Sequence, residues 1–242
     1  MIEYDRRGFL TAVGLGGLAL TAPLAAAAPM VVQGGGAVLG ESEQRAMLIS
    51  TVGEGLMYEH GFVNRLLSVY AECADRLEAG KEVPPGALLN AGALVDEFVE
   101  SYHEAFEERN LYPLFARASA MHDLVAVLSK QHGVGRQLVQ QTIFLAGKDM
   151  KAPDVPPKLI TICRSYVRMY REHAARETTD VLPALVELGG DVLMAQMHTR
   201  MMSLRKDRLG GLDLAGVREK LTAIEKTLGM DNLDSFTAAV PT

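Results

Sequence analysis

The chain has 242 residues, of which 48% are hydrophobic and 22% charged, and its formal net charge is −6. A chain of this length and composition can bury one substantial core, which fits a single globular domain with a small appendage. Its acidic and basic residues are interspersed and form no basic stripe, which argues against nucleic acid as a partner. Aromatic residues make up only 6% and helix formers are plentiful, so the composition favours an all-α fold.

Residues 1–27 have the pattern of an export signal. A charged start is followed by a Gly- and Ala-rich stretch that is too short and too weakly apolar for a typical membrane span. Arg6 and Arg7 resemble a twin-arginine signal, which exports proteins that have already folded. Cleavage after Ala27 would leave a mature form without a stable membrane span, and an uncleaved membrane anchor is the alternative. A Gly-rich linker, residues 28–40, follows.

Helical periodicity after the linker predicts four long amphipathic helices. They cover about residues 41–79, 84–110, 120–145 and 157–188, and Pro84 or Pro85 opens the second. Because the connections are short, we expect an up-down-up-down four-helix bundle over residues 41–188. One or two extra helices, about residues 191–208 and 213–228, are expected in a C-terminal extension, residues 189–242.

One phrase occurs twice in the predicted bundle. The segments HEAFEERNLYP, beginning at His103, and HAARETTDVLP, beginning at His173, each contain a histidine, a glutamate four residues later and a proline six residues beyond that. A His-Gly pair precedes each segment by one helix, at His60 and at His132. The pattern predicts a duplicated helical hairpin, two copies of which close one core.

The spacing directs six polar side chains into that core. Four residues complete slightly more than one helical turn, so each phrase places its histidine and glutamate on one face, and apolar neighbours place all four histidines inward. Buried imidazoles and carboxylates need compensating charge, which metal ions supply. Iron, zinc and manganese accept these donors, and six donors exceed the needs of one tetrahedral zinc, which predicts a dinuclear site with open positions. The candidate ligands are His60, His103, Glu107, His132, His173 and Glu177.

As a set, these motifs resemble the hemerythrin-like family of HHE cation-binding domains over about residues 41–188. The resemblance implies a non-haem di-iron centre inside a four-helix bundle, with the four histidines as terminal ligands and Glu107 and Glu177 as bridging carboxylates. Oxygen-carrying members have a histidine where this chain has Arg136 and an aspartate where it has Thr178. Fewer histidines leave more open coordination, which favours reaction over reversible storage of oxygen.

The residues and the resemblance together lead to a functional hypothesis. We expect an exported, periplasmic or otherwise extracytoplasmic protein with two non-haem iron ions that binds O2, NO or H2O2 and reacts with it in oxidative or nitrosative stress defence. Zinc or manganese in place of iron stays open, as does enzymatic turnover, which would require an electron donor. The alternatives are a non-enzymatic carrier or sensor of oxygen or nitric oxide, and a protein that handles iron or zinc.

Several residues beside the motifs have more than one interpretation. Arg136, one turn from His132, pairs with a ligand carboxylate, attracts an anion or is solvated. Glu108 is rotated by about 140° from His103 in an α-helix and is expected outside the ligand set. Glu100 completes a single Glu-x-x-His motif with His103, which we attribute to chance because ferritin-like bundles use two. Three tyrosines are expected to pack in the core, with a supporting or redox role as the alternative: Tyr70, Tyr166 and Tyr170.

The two cysteines, Cys73 and Cys163, are the remaining candidates for chemistry. Export would permit a disulfide between them. Cys73, however, is rotated by about 140° from His60, so it is predicted to face away from the core. The bridge therefore stays open but is not the favoured interpretation, and neither thiol is near enough to the histidines to bind the same metal.

Overall fold

The computed structural model describes residues 51–118, 121–209 and 212–240. The predicted export signal, the linker and residues 41–50 of the predicted first helix lie outside the described residues. Within these ranges the chain is helical and contains no β-strand, which confirms the predicted all-α class. None of the helices in this part of the chain is both long and apolar enough to cross a membrane.

Helix α1, Val52–Glu78, begins with a capping box. The Thr51 hydroxyl accepts a hydrogen bond from the Glu54 backbone N–H at 3.1 Å, and the Glu54 carboxylate accepts one from the Thr51 N–H at 3.0 Å. Two backbone donors at the helix start are thereby paired. The helix then carries Glu59 and His60 into the core.

The second helix, α2, spans residues 87–118 and changes its winding along its length. Its α-helical and π-helical segments are Ala87–Leu94 (α), Val95–Glu104 (π), Glu107–Leu111 (π) and Tyr112–Ala118 (α). A π turn closes its hydrogen bonds over one residue more than an α turn. Because this winding absorbs Pro113, the helix continues beyond residue 110, where the sequence predicted its end.

The remaining helices follow the predicted order. They are α3 at His122–Ala146, α4 at Val155–Arg176, α5 at Leu182–Arg208 and α6 at Leu214–Thr227, with a π turn at Glu177–Val181 and a 3-10 turn at Leu233–Phe236. Prolines occupy the first turn of α4, where their missing N–H groups are not needed. The π turn joins α4 to α5 without a loop.

Helices α1 to α4 form the predicted bundle, in which each helix packs against the next and α1 packs along α4. The chain turns out of the bundle at Gly190 in α5, where φ is 56° and ψ is −158°. This positive φ favours glycine. The break predicted between the helices at 157–188 and 191–208 is therefore a kink at Gly190, after which α5 and α6 pack on the outside as the expected additional C-terminal helices.

Three stacked tyrosines fill one part of the bundle core. Tyr70, Tyr166 and Tyr170 are each at most 2% exposed, with ring centroids 5.1 Å and 4.4 Å apart along the series. The preferred interpretation, core packing, agrees with this burial, and the Tyr170 hydroxyl also donates to the Glu104 carboxylate. Gly135 on α3 makes room for it, because a Cβ there would lie 2.4 Å from the Tyr170 hydroxyl oxygen.

We expect Gly135→Ala to lower the free energy of unfolding of the metal-free protein by about 1–3 kcal/mol, since the added methyl group displaces Tyr170. Gly133→Ala on the same helix is the matched control, because a Cβ there meets no atom within 4 Å. That change should be neutral or stabilising by up to about 1 kcal/mol. Urea unfolding of both variants tests the packing, and equal effects would contradict it.

Glu100 is an acidic side chain buried in the π-helical part of α2. It is 7% exposed, and its Oε1 atom has no hydrogen-bond partner among the described residues. Burial, followed by the nearby charge of Asp96, raises the pKa of Glu100 to about 7. The folded carboxyl therefore keeps a proton in a pH range where the unfolded chain has released it.

A raised folded pKa stabilises the protein below the unfolded value, and this contribution is lost as pH rises towards the folded value. We expect the metal-free protein to lose about 1–3 kcal/mol of stability from this group between pH 4.5 and pH 7, and Glu100→Gln to remove that loss. Chemical unfolding at several pH values measures it. Glu97→Gln, at a carboxylate 41% exposed on the same helix, controls for the loss of one negative charge. Parallel pH profiles for Glu100→Gln and the wild type would refute the assignment.

Candidate metal centre

The six predicted ligand side chains meet inside the bundle. Helix α1 contributes one histidine, α2 a histidine and a glutamate, α3 one histidine, and α4 with its π turn a histidine and a glutamate. Each residue is at most 4% exposed. The side chains brought together are His60, His103, Glu107, His132, His173 and Glu177.

Their donor atoms form two groups of four that share both glutamates. One group adds His60 and His103 to the glutamates, the other adds His132 and His173, and within each group the atoms lie within 4.8 Å of one another. All members of both groups are buried. Two histidine pairs flanking two shared carboxylates are able to hold two adjacent cations.

Each carboxylate directs one oxygen to each histidine pair. The Glu177 oxygens lie 3.3 Å from His60 Nε2 and 3.2 Å from His173 Nε2. The Glu107 oxygens lie 3.5 Å from His103 Nε2 and 3.6 Å from His132 Nε2. Donors that are each about 2.0–2.2 Å from one ion are themselves separated by roughly 3 Å or slightly more, so these spacings suit common cations.

Several inward atoms have no hydrogen-bond partner of good geometry among the described residues. His60 Nε2, Glu107 Oε2 and Glu177 Oε2 are fully buried and form no hydrogen bond. The Nε2 atoms of His132 and His173 approach each other to 3.0 Å. Leaving such groups without a partner costs several kcal/mol for a charge and about 1–3 kcal/mol for a neutral group. A cation in each group would satisfy all of them, so these donors fit a dinuclear metal site.

Burial and the neighbouring charges also shift the pKa values of the predicted ligands in the metal-free centre. Burial and the neighbouring Glu177 charge raise the pKa of Glu107 well above its ordinary value. Burial also opposes ionisation of Glu177, but His173 and His60 outweigh it and lower the pKa of Glu177 well below its usual range. Burial lowers the pKa of His60 and His132, which keeps both imidazoles in the neutral form that binds metals.

The outer nitrogen of each of the four predicted ligand histidines has an oxygen partner. His103 Nδ1 is 2.9 Å from Glu59 Oε2, and His132 Nδ1 is 3.0 Å from Glu108 Oε1. His60 and His173 have neutral partners, with Thr178 Oγ1 at 2.8 Å and Gln131 Oε1 at 3.0 Å. With Nδ1–H donating outward, each Nε2 lone pair points inward, and carboxylate partners make the ring a stronger ligand.

These outer contacts repeat the duplication of the sequence. The residue before the first histidine of each half, Glu59 or Gln131, contacts the second histidine of the same half. The residue after each glutamate, Glu108 or Thr178, contacts the first histidine of the other half. Thr178, which stands where oxygen carriers have an aspartate, therefore orients His60. The sequence pattern contained these positions, but nothing in it assigned their partners.

The proline in each phrase explains how the glutamates are placed. A proline inside a helix lacks an N–H and its ring clashes with the carbonyl four residues earlier. The chain responds with a π turn immediately before each proline, beginning at Glu107 and at Glu177. The N–H groups of Tyr112 and Leu182 bond to the carbonyls of these glutamates, five residues back. Both glutamates thus start the same irregular turn, as functional π segments often do.

The π winding also changes the position of Glu108. The α-helical rotation predicted it to point away from the histidines, and this is wrong because a π turn carries it round to His132. The hydrogen bond from His132, together with Arg136, lowers the pKa of Glu108 to about 2. Glu108 belongs to neither of the two groups that share the glutamates, as expected, and it supports His132 through the outer ring nitrogen Nδ1.

Arg136 pairs with carboxylates that lie outside the six-residue set. Its guanidinium donates to Glu104 Oε2 at 2.9 Å and to Glu108 Oε1 at 2.7 Å. Glu104, Glu108 and His132 form a third group with metal-binding geometry, and the guanidinium already supplies positive charge there. Of the interpretations left open by the sequence, pairing with a carboxylate is the one observed. The carboxylates are those of Glu104 and Glu108, which are not among the predicted ligands.

Tyr112 is a site residue that the sequence analysis missed. Its hydroxyl donates to Glu177 Oε1 at 2.5 Å and lies 3.3 Å from His132 Nε2, while its ring stacks on the His132 ring. A cleft of about 560 Å³ reaches this tyrosine from the surface and is also lined by Glu108 and Arg136. The available clue was a difference between the two phrases, which have Tyr112 and Leu182 at the same place.

The cysteines are both buried and both free. The prediction that Cys73 faces away from the core is wrong, since the residue is 0% exposed. Helix α1 packs along α4, so its buried arc extends far beyond the side that faces the metal-binding groups. Burial raises the pKa of Cys73 and of Cys163 to about 12, and neither thiol belongs to a metal-binding group among the described residues.

Comparisons with known proteins agree with this geometry. Residues 51–185 match the family described as the hemerythrin HHE cation binding domain. Uncharacterized proteins of Mycobacterium bovis and Mycobacterium tuberculosis are 34% identical over 191 residues, which cover 77% of this chain and 74% of each relative. No solved structure gives a significant match. The matched residues include all six predicted ligands, and the two buried donor groups are suited to the cation binding that the family description names. The chain therefore belongs to the hemerythrin HHE cation-binding family.

Proposed function

We propose that the protein is an exported non-haem di-iron protein that binds a small diatomic molecule or a peroxide and undergoes redox reaction with it. In the proposed centre each histidine pair would hold one iron ion, together with the carboxylates of Glu107 and Glu177 that both groups share. The observation that carries the proposal is that two buried groups of four donors share both carboxylates.

Donor number favours iron over structural zinc. Each group offers two imidazole nitrogens and two carboxylate oxygens. Four donors would close a tetrahedral zinc site completely, whereas iron takes additional ligands and would keep open positions. A bound pair of iron ions would supply two adjacent redox-active centres with room for O2, NO or H2O2.

The protein's own residues would control access and proton supply. The ligands are almost fully buried, so bulk water is excluded from the histidine and glutamate donors. The cleft that is lined in part by Tyr112 would bring a small molecule to one side of the centre. The Tyr112 hydroxyl, now bonded to Glu177, is positioned to donate a hydrogen bond or a proton to a molecule that enters there.

The proposed location is outside the cytoplasm, in the periplasm or an equivalent compartment. The support is the twin-arginine pattern in residues 1–27. A route that carries folded proteins would allow the centre to be assembled before export. There the protein would act in oxidative or nitrosative stress defence, with an external electron donor if the reaction turns over.

The first experiment is to load the mature protein with ferrous iron without oxygen and then to add O2, NO or H2O2 separately. We expect about two irons per chain and a change in visible absorption. His60→Ala and Glu177→Ala should lose both features, because each removes a ligand from a buried site. His122→Ala is the matched control for iron binding, since His122 is exposed, belongs to none of the donor groups, and among the described residues has a polar side-chain contact only with neighbouring Asp123.

Each result has a distinct meaning. Turnover with a reductant would identify an enzyme, and a reversible oxygen adduct would identify a carrier instead. One zinc per chain and no response to the gases or peroxide would refute the di-iron proposal and favour metal handling. Equal iron loss in His122→Ala would show that histidine removal acts through general destabilisation.

A second variant tests the role given to Tyr112. We expect Tyr112→Phe to keep about two irons, since all six ligands remain, but to react with peroxide about 10-fold or more slowly because the proton donor is lost. Stopped-flow absorption measures the rate. Tyr58→Phe removes a tyrosine hydroxyl from the exposed side of α1 and should react like the wild type. An unchanged rate in Tyr112→Phe would exclude this hydroxyl from the reaction.

A further inference from the structure

The C-terminal helices reach the outer part of the metal centre through one arginine. Arg205 lies near the end of α5, outside the family-matched residues 51–185, and its side chain is only 12% exposed. Its guanidinium donates to Glu59 Oε1 at 2.7 Å and to the Tyr102 hydroxyl at 3.0 Å. These contacts join α5 to α1 and α2 in the interior of the protein.

The chain of hydrogen bonds continues to a predicted metal ligand. Glu59 uses its second oxygen to accept from His103 Nδ1 at 2.9 Å, while the Tyr102 hydroxyl donates to the first oxygen at 2.6 Å. Glu59 and Tyr102 are 0% exposed and His103 is 3% exposed. Arg205 is therefore connected to His103 by two consecutive contacts, of which the first is partly buried and the second is buried.

Charge explains why this connection matters. Among the contacts of the Glu59 carboxylate, Arg205 provides the permanent positive charge, since the phenol is neutral and the imidazole is neutral when it binds a metal. A buried carboxylate that loses its cationic partner is strongly destabilised. It would turn towards water or draw the His103 proton, and either change would alter the direction and strength of His103 as a ligand.

The other half of the centre has its own arginine. Arg136 on α3 pairs with Glu108, which supports His132. That arginine belongs to the bundle itself, whereas Arg205 comes from the C-terminal extension. Both halves thus pair a supporting carboxylate with an arginine, but in the half with His60 and His103 that arginine comes from a segment outside the bundle.

We propose that Arg205 is a positioning residue for His103, and that through it the C-terminal extension forms part of one metal site. This proposal rests on the two-metal centre proposed above. Metal binding at the His60–His103 pair and docking of α5 then stabilise each other, because a coupling free energy between two sites is reciprocal.

Docking of the extension does not depend on Arg205 alone. Met194, Met197 and Met201 of α5 are at most 8% exposed, and Val217 and Leu221 of α6 are 0% exposed. Arg65 of α1 also pairs with Glu225 of α6, with Nε 2.8 Å from the carboxylate. A change at Arg205 should therefore leave the extension in place and act on Glu59 and His103.

The test is a titration of the full-length, metal-free protein with ferrous iron in the absence of oxygen. Arg205→Met keeps an apolar stem but removes the charge. We expect it to weaken the binding affinity for one of the two ions roughly 10- to 100-fold and to leave the affinity for the other unchanged. Arg205→Lys should restore part of the loss. Arg65→Met is the matched control, because it removes an arginine that joins α1 to the extension without contacting Glu59.

A double-variant cycle separates positioning from general stability. If Arg205 acts through Glu59, then Glu59→Gln combined with Arg205→Met should cost no more iron affinity than the more harmful single change. Additive losses would contradict the proposed path. Circular dichroism of the metal-free variants checks folding, and Arg205→Lys serves for the titration if Arg205→Met does not fold.

Two further results would overturn the proposal. One is wild-type affinity for both ions in Arg205→Met; the other is an equal loss in Arg205→Met and Arg65→Met. If the wild type binds one ion, the di-iron proposal fails, and Arg205 is then tested by whether Arg205→Met weakens that ion more than Arg65→Met does. A wild type that binds no iron would refute both proposals.

Discussion

Four imidazoles and two carboxylates share the interior of one helical bundle, and the cost of burying them without a cation governs the rest of the structure. Six inward donors are tolerable when positive charge lies between them. Their outer atoms must also be paired, and each histidine Nδ1 has an oxygen partner. The apolar core around the centre, including three stacked tyrosines, then keeps water away from the donors.

The centre is symmetric in its inner donors and asymmetric around them. Duplication of a helical hairpin supplies two equivalent histidine pairs and two equivalent glutamates, each at the start of a π turn. The supporting residues differ between the halves, with Glu59 opposite Gln131 and Glu108 opposite Thr178. Tyr112, on the side of the cleft, has no hydroxyl counterpart at Leu182. The symmetric donors suit binding of a metal pair, and the asymmetry gives the two metal positions different surroundings.

The segment beyond the bundle is integrated with it at several levels. The kink at Gly190 lets α5 leave the line of α4, and buried methionines attach it to the outside of the bundle. Arg205 then reaches the buried carboxylate of Glu59. Together these contacts connect the part of α5 beyond the family-matched residues to Glu59, which supports the predicted ligand His103.

The sequence by itself determined the helical class, the order of the helices and the six inward donors, because helical periodicity converts residue spacing directly into a shared face. It did not determine the supporting contacts of Gln131, Thr178 and Arg205, since those partners lie on different helices and no spacing rule relates them. The positions of Glu108 and Cys73 were predicted wrongly for related reasons. Glu108 lies within a π turn imposed by Pro113, and Cys73 lies on a helix covered on more than one side. Only tertiary packing decided which residue contacts which, because those contacts depend on how separate helices approach one another.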